Sequence, residues 1–258
     1  MRGDVARKAE SLIGLEFETN SYGKCFIIDY KGIYDVTVMF YEPMSIVKCV
    51  FQNLKAGRVK NPLLPTVYGK GYIGVGAYST SNTKVYKMWI RMLERCYDEK
   101  FHKKHPTYKD VEVCDEWLNF QNFAAWCESK PHFHLKDVNG KSYHLDKDIL
   151  VKGNKIYSLD TCCFIPSEIN LLILNNGKCR GKYPVGVYFN RPRKKYIANL
   201  NCRKSQKHLG MFRTPEEAFR AYKQAKESYV KEVANKWKGS ISSETYQALM
   251  KWEVNIDD

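Results

Sequence analysis

Residues 143–150 carry the side chains best placed to activate water beside a metal ion. The segment predicts a β-strand, whose alternation puts His144, Asp146 and Asp148 on one face. Carboxylate oxygens are ligands that Mg²⁺ and Mn²⁺ prefer, and a histidine beside them can serve as a general base. With Asn154 nearby in sequence, we interpret His144 as a catalytic base and Asp146, Asp148 and Asn154 as metal ligands.

Lys147 is the second candidate for the base. Strand alternation directs it to the opposite face, unless a bulge turns the side chain. The alternative is a surface cluster of Asp and Lys ion pairs on a scaffold without catalytic activity, because structural ion-pair networks resemble active sites. The sequence leaves both interpretations open.

The positive charge of the chain is concentrated near its C-terminus. Residues 176–238 contain 17 Lys and Arg residues against 4 acidic residues, a formal charge of +13 out of +14 for the whole chain. Such a field attracts a polyanion, and nucleic acid is the usual one. The alternative is a set of ordinary solvated turns, because a run of charge alone is weak evidence.

The same basic segment predicts a sheet followed by a helix. Strands are expected over residues 185–190, 196–202 and 207–212, joined by basic turns. Thr214 then supplies an N-cap, Pro215 the first helical position and Glu217 the partner of a capping box. An apolar stripe from Ala218 to Trp237 predicts that this helix packs on one face of the sheet.

Alternation predicts which side chains occupy the other face of the sheet. Facing the helix we expect Val187, Phe189, Ala198, Leu200, Leu209 and Met211. Facing outward, toward bases, we expect Tyr188, Asn190, Asn199, Asn201, Gln206 and His208. Residues expected to hold the nucleic-acid backbone are Arg191, Arg193, Lys194, Lys195, Arg203, Lys204 and Lys207.

Residues 183–190, 195–201 and 208–222 together resemble the Apetala2/ERF DNA-binding domain. The shared features include Gly186-Val187, Ala198, Leu209-Gly210 and the helix that begins after Thr214. The resemblance implies a sheet that lies in the major groove of double-stranded DNA. The plant family presents mostly Arg and Trp to bases, whereas Asn and Gln can pair with adenine, so its GC-rich preference is not expected here.

Residues 143–150, 153–158 and 164–166, with Thr161, Cys162 and Asn170, resemble a divergent HNH homing endonuclease of phage type. Residues 108–126 resemble the segment that precedes the motif in phage members, and the N-terminal region is similar to such proteins as well. The resemblance implies metal-dependent hydrolysis of DNA. The usual Asp-His pair here reads Asp146-Lys147, and Thr161 stands where a metal-binding Asn is expected. A DNA-binding protein without catalytic activity, a regulator or site competitor, is therefore the alternative.

The expected architecture is a multidomain α+β protein. Frequent turns between short β-type runs predict a small β-barrel over residues 1–60. A Gly/Pro linker over 61–83 contains Gly69, Gly71 and Gly74 in dinucleotide-fingerprint spacing, but no strand-to-helix context. An HNH-like ββα unit with additional helices follows over 84–175. The three-stranded antiparallel sheet packed on one helix occupies 176–238, and a helical appendage 239–258.

Composition limits the remaining function classes. The chain is 44% hydrophobic and 27% charged, which is typical of a globular protein, and no apolar run reaches the roughly 20 residues of a membrane span. Nine cysteines without scaffold spacing are interpreted as reduced thiols. The pairs His102/His105 and His132/His134 lack the Cys or Glu partners of a zinc site, so zinc is not expected. A small-molecule cofactor is not expected either.

The expected partner is double-stranded DNA, with RNA as the weaker alternative. One catalytic centre per chain predicts a nick, and a homodimer would be required to cut both strands. The resemblance implies a phage-encoded protein of the host cytoplasm, associated with the nucleoid and not secreted.

Overall fold

The computed structural model describes residues 10–173, 182–202 and 205–257 of the 258-residue chain. The chain divides into two compact units, Met1–Cys127 and Glu128–Asp258, so the boundary falls inside the segment 84–175. Both units combine helices with small sheets, which confirms the α+β class. Within the described ranges, no helix has both the length and the apolar character needed to cross a membrane.

The first unit contains a four-stranded antiparallel sheet of β1 (Glu16–Glu18), β2 (Lys24–Gly32), β3 (Asp35–Phe40) and β4 (Ser45–Cys49), paired in that order. One face of it packs around Ile27, Val36, Val38 and Phe40, which are fully buried. The sheet is open, so the prediction of a closed barrel is wrong. Closure would require the two edge strands to pair, and among the described residues β1 has only three residues, all of which pair with β2.

The predicted linker over residues 61–83 consists of turns and isolated bridges, and it packs against the helices that follow. A Cβ atom on Gly71 would lie 2.4 Å from Leu93 Cδ1 and 2.9 Å from Trp89 Cζ2. The buried Trp89 also donates its indole N–H to the carbonyl of Trp117 at 2.7 Å. Gly71, one of the three glycines in fingerprint-like spacing, therefore allows the backbone to pack closely against Trp89 and Leu93.

The longest helix of the first unit buries apolar side chains at helical spacing. Thr83 caps this helix, accepting a hydrogen bond from Tyr86 N at 3.2 Å. The chain from Asp115 to Ser129 is helical apart from Asn119, which has extended backbone dihedrals. The elements are α1 (Phe51–Lys55), α2 (Lys84–Tyr97), α3 (Glu99–Lys104), a 3₁₀ turn (Pro106–Tyr108), β5 (Glu112–Val113), α4 (Asp115–Leu118) and α5 (Phe120–Ser129), which runs into the second unit.

The second unit opens with a small ββα arrangement. After α6 (Pro131–His134), β6 (His144–Asp146) pairs antiparallel with β8 (Cys163–Ile165), and α7 (Ser167–Ile173) follows β8 and packs on β6. The short strand β7 (Ile156–Tyr157) lies in the intervening loop. The strand expected over 143–150 is therefore three residues long, because the chain bends immediately after Asp146.

The basic segment forms the predicted sheet and helix. β9 (Val187–Asn190), β10 (Lys195–Cys202) and β11 (Ser205–Phe212) make an antiparallel sheet with β10 in the centre, and α8 (Pro215–Trp237) covers one face. Thr214 and Glu217 form the predicted capping box. The core between sheet and helix includes Ala198, Leu200 and Ala218. A final helix, α9 (Ser243–Met250), lies within the predicted helical appendage and packs on α8.

Helix α8 also holds the ββα arrangement, through polar contacts on α7. The carboxylate of Glu168 accepts hydrogen bonds from Lys236 Nζ at 2.6 Å and Trp237 Nε1 at 2.8 Å. Lys226 Nζ donates to the carbonyl of Leu172 at 2.6 Å, near the C-terminus of α7. Burial lowers the pKa of Lys226. These contacts fix α7 against the helix that supports the basic sheet.

Candidate functional site

The outer face of the β9–β10–β11 sheet carries a row of polar couples. Residues directly opposite each other on neighbouring strands point to the same side, and Asn199 pairs with His208 while Asn201 pairs with Gln206. His208 Nδ1 lies 3.1 Å from Asn199 Oδ1, and Gln206 Nε2 donates to Asn201 Oδ1 at 2.9 Å. The structure therefore brings four of the six predicted base-facing residues together as two hydrogen-bonded couples.

Tyr188 is also on this face, in a second row that is apolar. It pairs with Ile197, which in turn pairs with Met211. Tyr188 is 46% exposed and Met211 37%, whereas Ile197 between them is only 5% exposed. We refer to Tyr188, Ile197 and Met211 as the apolar row.

Met211 faces outward because β11 contains a bulge, and the prediction that it faces the helix is wrong. The pairing shifts between Ala198 and Asn199, so that Ala198 lies opposite Gly210 while Asn199 lies opposite His208. Leu209 is the extra residue, and it packs toward the helix. An extra residue reverses alternation beyond it, which moves Met211 to the outer face.

Asn190, the remaining predicted base-facing residue, ends β9 and stabilises the following turn. Its Oδ1 accepts a hydrogen bond from the backbone N–H of Arg193 at 3.0 Å. It lies on the outer face opposite Lys195, at the margin of the sheet. This contact makes Asn190 a turn residue as well as a surface residue.

The basic residues of the β9–β10 turn surround that margin. Arg191, Arg193, Lys194 and Lys195 are all exposed. Lys207 is exposed too, but it pairs with the inward-facing Leu200 and so starts from the helix side of the sheet. Arg203 and Lys204 lie outside the described residues. The four cations therefore border the end of the sheet opposite the polar couples, next to the apolar row, where Arg193 Nη1 donates to Met211 Sδ at 3.4 Å. There they can bind anionic groups such as phosphates.

The predicted metal-binding set around β6 is only partly brought together. Asp146 ends the strand, and its Oδ1 accepts hydrogen bonds from the backbone N–H groups of Asp148 at 2.9 Å and Ile149 at 2.8 Å. Burial raises the pKa of the Asp146 carboxyl above its ordinary value. Its Oδ2 accepts no hydrogen bond from the described residues. This second oxygen remains for an incoming cation or proton.

Lys147, Asp148 and Asn154 form a structural cluster, and their predicted site roles do not fit the geometry. The Lys147 ammonium is largely buried and donates to the Asp148 carboxylate and to the carbonyl of Asn154. The Asn154 amide donates to the carbonyls of Lys147 and Ile156, and its oxygen accepts from Ile156 N. The strand ends at Asp146, so the alternation expected to align Asp148 with His144 does not extend that far.

His144 has a partner on α7 that the sequence interpretation did not assign. Its Nδ1 lies 3.1 Å from the side-chain amide of Asn170, and the direction of this hydrogen bond depends on the imidazole tautomer and the amide orientation. Asn170 belongs to a motif noted in the sequence, but its role depends on the packing of α7 on β6. The signal that could have identified Asn170 is its place in a helix that starts shortly after a buried strand. No group of three or more His, Cys, Asp or Glu side chains among the described residues has a metal-binding arrangement.

The cysteines near β8 are buried thiols. Burial raises the pKa of Cys162, and that of Cys163 to about 12. The eight cysteines in the described ranges form no disulfide. Both thiols are therefore protonated at neutral pH.

Two substitutions of Asp146 separate its turn contacts from its charge. Asp146→Ala is expected to lower the free energy of unfolding by about 1–2 kcal/mol, because two backbone N–H groups lose their acceptor. Asp146→Asn keeps an acceptor oxygen and removes the buried charge. Denaturant unfolding of the three proteins measures the difference.

The effect of Asp146→Asn depends on pH in a defined direction. Because the Asp146 carboxyl has a higher pKa in the folded chain than in the unfolded chain, the unfolded chain loses this proton at lower pH. The free energy of unfolding of the wild type therefore falls as pH rises from the unfolded-state pKa to the folded-state pKa, and it stays lower at higher pH. Relative to wild type, Asp146→Asn should therefore be more stable at about pH 8 than at about pH 3. An opposite trend would contradict the burial of the charged form.

Comparison with known proteins identified no relative: no family model, no curated protein and no solved structure matches this chain.

Proposed function

We propose that this protein binds double-stranded DNA with the outer face of the β9–β10–β11 sheet. The observation that carries the proposal is one sheet face that presents the Asn199–His208 and Asn201–Gln206 couples toward one end and a turn of four exposed cations at the other. Cations position a protein on phosphates, whereas uncharged amides and imidazoles can read base edges. A three-stranded sheet can be inserted into the major groove of B-DNA, but not into the narrow major groove of A-form RNA.

Equilibrium binding to labelled nucleic acids tests this proposal. We expect duplex DNA to bind more tightly than duplex RNA of the same sequence, with an affinity that falls steeply and log-linearly with salt. Single-stranded DNA serves as a further competitor. A preference for RNA, or an affinity that does not change with salt, would contradict the proposal.

A second candidate function, metal-dependent hydrolysis of DNA, is favoured by the β6–β8–α7 arrangement. It places the carboxylate of Asp146 and the coupled side chains His144 and Asn170 on neighbouring elements. Asp146 fits a divalent cation, since its Oδ2 has no partner among the described residues, and Asn170 would be the nearby amide ligand. Such an ion, when bound, would stabilise negative charge on the scissile phosphate. His144 can accept a proton from water at Nε2 in the tautomer whose Nδ1 donates to the amide oxygen of Asn170, that is, with the Asn170 amide rotated.

Nicking of supercoiled plasmid with Mg²⁺ or Mn²⁺ tests this second function. We expect a slow nick with wild type, its loss with Asp146→Asn, and its retention with Asp148→Asn, because the Asp148 carboxylate is paired with Lys147. Duplex binding measured in parallel should be unchanged by both substitutions. If wild type does not nick, or if both variants nick as it does, the hydrolytic function is excluded and a non-catalytic DNA-binding protein remains.

A further inference from the structure

The hydrogen bonds inside the polar couples determine what each couple can offer to a ligand. In the second couple, Gln206 Nε2 donates to Asn201 Oδ1, which leaves Asn201 Nδ2 as a donor and Gln206 Oε1 as an acceptor. In the first couple, Asn199 Oδ1 can only accept, so His208 Nδ1 carries the proton. A neutral imidazole then presents Nε2 as an acceptor beside the donor Nδ2 of Asn199. Each couple therefore presents one donor and one acceptor.

This result does not depend on the orientation of the amides. If oxygen and nitrogen exchange places in Asn199, the amide donates to His208 Nδ1, and the free groups become the acceptor Oδ1 and the donor Nε2. Reversing the Asn201–Gln206 hydrogen bond likewise leaves one acceptor and one donor. The pattern is a consequence of coupling two bifunctional side chains through a single hydrogen bond.

Among the single bases, adenine alone presents both an acceptor and a donor in the major groove, and it can therefore bond to the donor and the acceptor of one couple. Adenine presents N7 as an acceptor and N6 as a donor, whereas guanine presents two acceptors, N7 and O6. Guanine opposite such a couple would bring its O6 against the acceptor of the couple. The couples are therefore complementary to adenine.

The apolar row lies next to the first couple and matches the partner of adenine. Ile197, Asn199 and Asn201 occur at every second position of β10, and residues two apart in a strand are separated by about 6.6 Å. That spacing is about twice the 3.4 Å rise of a base pair. The distinctive major-groove feature of thymine is its 5-methyl group, for which Tyr188 and Met211 provide an exposed apolar contact.

We propose that the outer face reads A·T base pairs, with the two couples each contacting an adenine and the apolar row contacting a thymine methyl group. This inference rests on the proposed binding of double-stranded DNA. The three contacts follow one another along β10. The thymine methyl group lies at the level of Ile197, one adenine lies at Asn199, and the other adenine lies at Asn201. The bulge at Leu209 makes this order available, because it brings Met211 to the same face as the couples.

Base analogues in duplex DNA provide the test. The best site is first selected from a randomised duplex pool by the full-length protein, and single adenines are then replaced by 7-deazaadenine and single thymines by deoxyuridine. These analogues remove N7 and the 5-methyl group, respectively, while keeping base pairing. We expect about a tenfold loss of affinity at each contacted adenine, and a smaller loss at the contacted thymine.

Matched variants assign each loss to its residue. With Gln206→Met, the effect of 7-deazaadenine should disappear at one position and persist at the other. With Met211→Ser, the protein should no longer distinguish thymine from deoxyuridine, while its response to 7-deazaadenine should be unchanged. Both residues are exposed, so circular dichroism is expected to show wild-type folding.

The outcomes separate this inference from the function on which it rests. Enrichment of guanine in the selected site, or analogue effects that neither variant alters, would overturn the assignment of A·T reading. Salt-dependent binding to duplex DNA without any enriched sequence would also overturn it, and would leave the DNA-binding function intact. Absence of duplex binding at any salt concentration would overturn the function itself.

Discussion

Neutralising the β9–β10 turn is expected to weaken duplex DNA binding by about 10³-fold at about 0.1 M salt. Arg191, Arg193, Lys194 and Lys195 are exposed next to the apolar row, at the end of the sheet away from the polar couples, and each can displace one counterion from a phosphate. Removing four such contacts should reduce the slope of log affinity against log salt by about 3 to 4. The loss should be similar for all duplex sequences, because phosphates carry no sequence information.

The substitutions can be chosen so that the turn keeps its conformation. Glutamine is suitable at positions 191, 193 and 195, because it retains part of the side-chain stem. Lys194 has a φ of 49°, in the left-handed region, so asparagine is the better replacement there. The Arg193 backbone N–H that bonds Asn190 is unaffected by these changes.

A control variant with the same change in net charge is available in the first unit. Lys70, Lys100, Lys103 and Lys104 are exposed and lie outside the proposed interface. Their replacement by glutamine should change the salt slope much less than neutralising the turn. If fluorescence anisotropy shows the same slope for both variants, DNA is attracted by overall charge, and the turn has no particular role.

Gly186→Ala is expected to produce the largest loss of stability, about 3–5 kcal/mol. Gly186 has a φ of 76°, and a Cβ atom at this position would lie 2.1 Å from Cδ2 of Tyr222. Tyr222 is a buried residue of α8 in the core against the sheet. The substitution therefore combines a strained backbone with overpacking between helix and sheet.

Gly140→Ala is the matched control for this substitution. Gly140 has a φ of 74°, and no atom lies within 4 Å of the Cβ position. It should therefore incur only the backbone strain, about 1 kcal/mol. Denaturant unfolding of the two variants measures the difference. Equal losses would show that helix and sheet can separate locally without cost, contrary to the close packing at Gly186.

Gly186→Ala also has a consequence for binding that Gly140→Ala lacks. The carbonyl of Gly186 accepts a hydrogen bond from Asn199 N at 2.9 Å, so a displacement here reaches the first polar couple. At a temperature where the variant is still folded, we expect weaker sequence discrimination with an unchanged salt slope. The charged turn follows at the opposite end of β9 and should be less affected.

The elements of the basic segment could be predicted because their signals are local. The capping box of Thr214 and Glu217 involves neighbours in sequence, and the apolar stripe of α8 reflects its own helical period. Alternation placed Asn199, Asn201, Gln206 and His208 on the outer face, and each of them is found there. Met211 could not be placed, because the bulge at Leu209 is a property of the pairing between two strands.

The candidate centre around β6 was less predictable, because its geometry depends on where a strand ends. A strand continuing to Leu150 would have aligned His144, Asp146 and Asp148. In the structure, the Asp146 carboxylate accepts hydrogen bonds from the backbone N–H groups of Asp148 and Ile149. In a continued strand these N–H groups would point sideways, so the chain bends where they turn toward Asp146. Lys147 then turns inward to bond the carbonyl of Asn154. The partner of His144, Asn170, is brought by the packing of α7 and not by sequence proximity.

The sequence by itself determined the charge, the local elements and the chemical character of the proposed DNA-binding face. A formal charge of +13 in residues 176–238 and the Asn, Gln and His side chains on alternating positions are present before folding. Tertiary structure decided which side chains face each other: the register that couples Asn199 with His208, the bulge that exposes Met211, and the open edges of the N-terminal sheet. The physical reason is that strand register and closure depend on pairing between distant segments, whereas caps and periodicity depend on near neighbours.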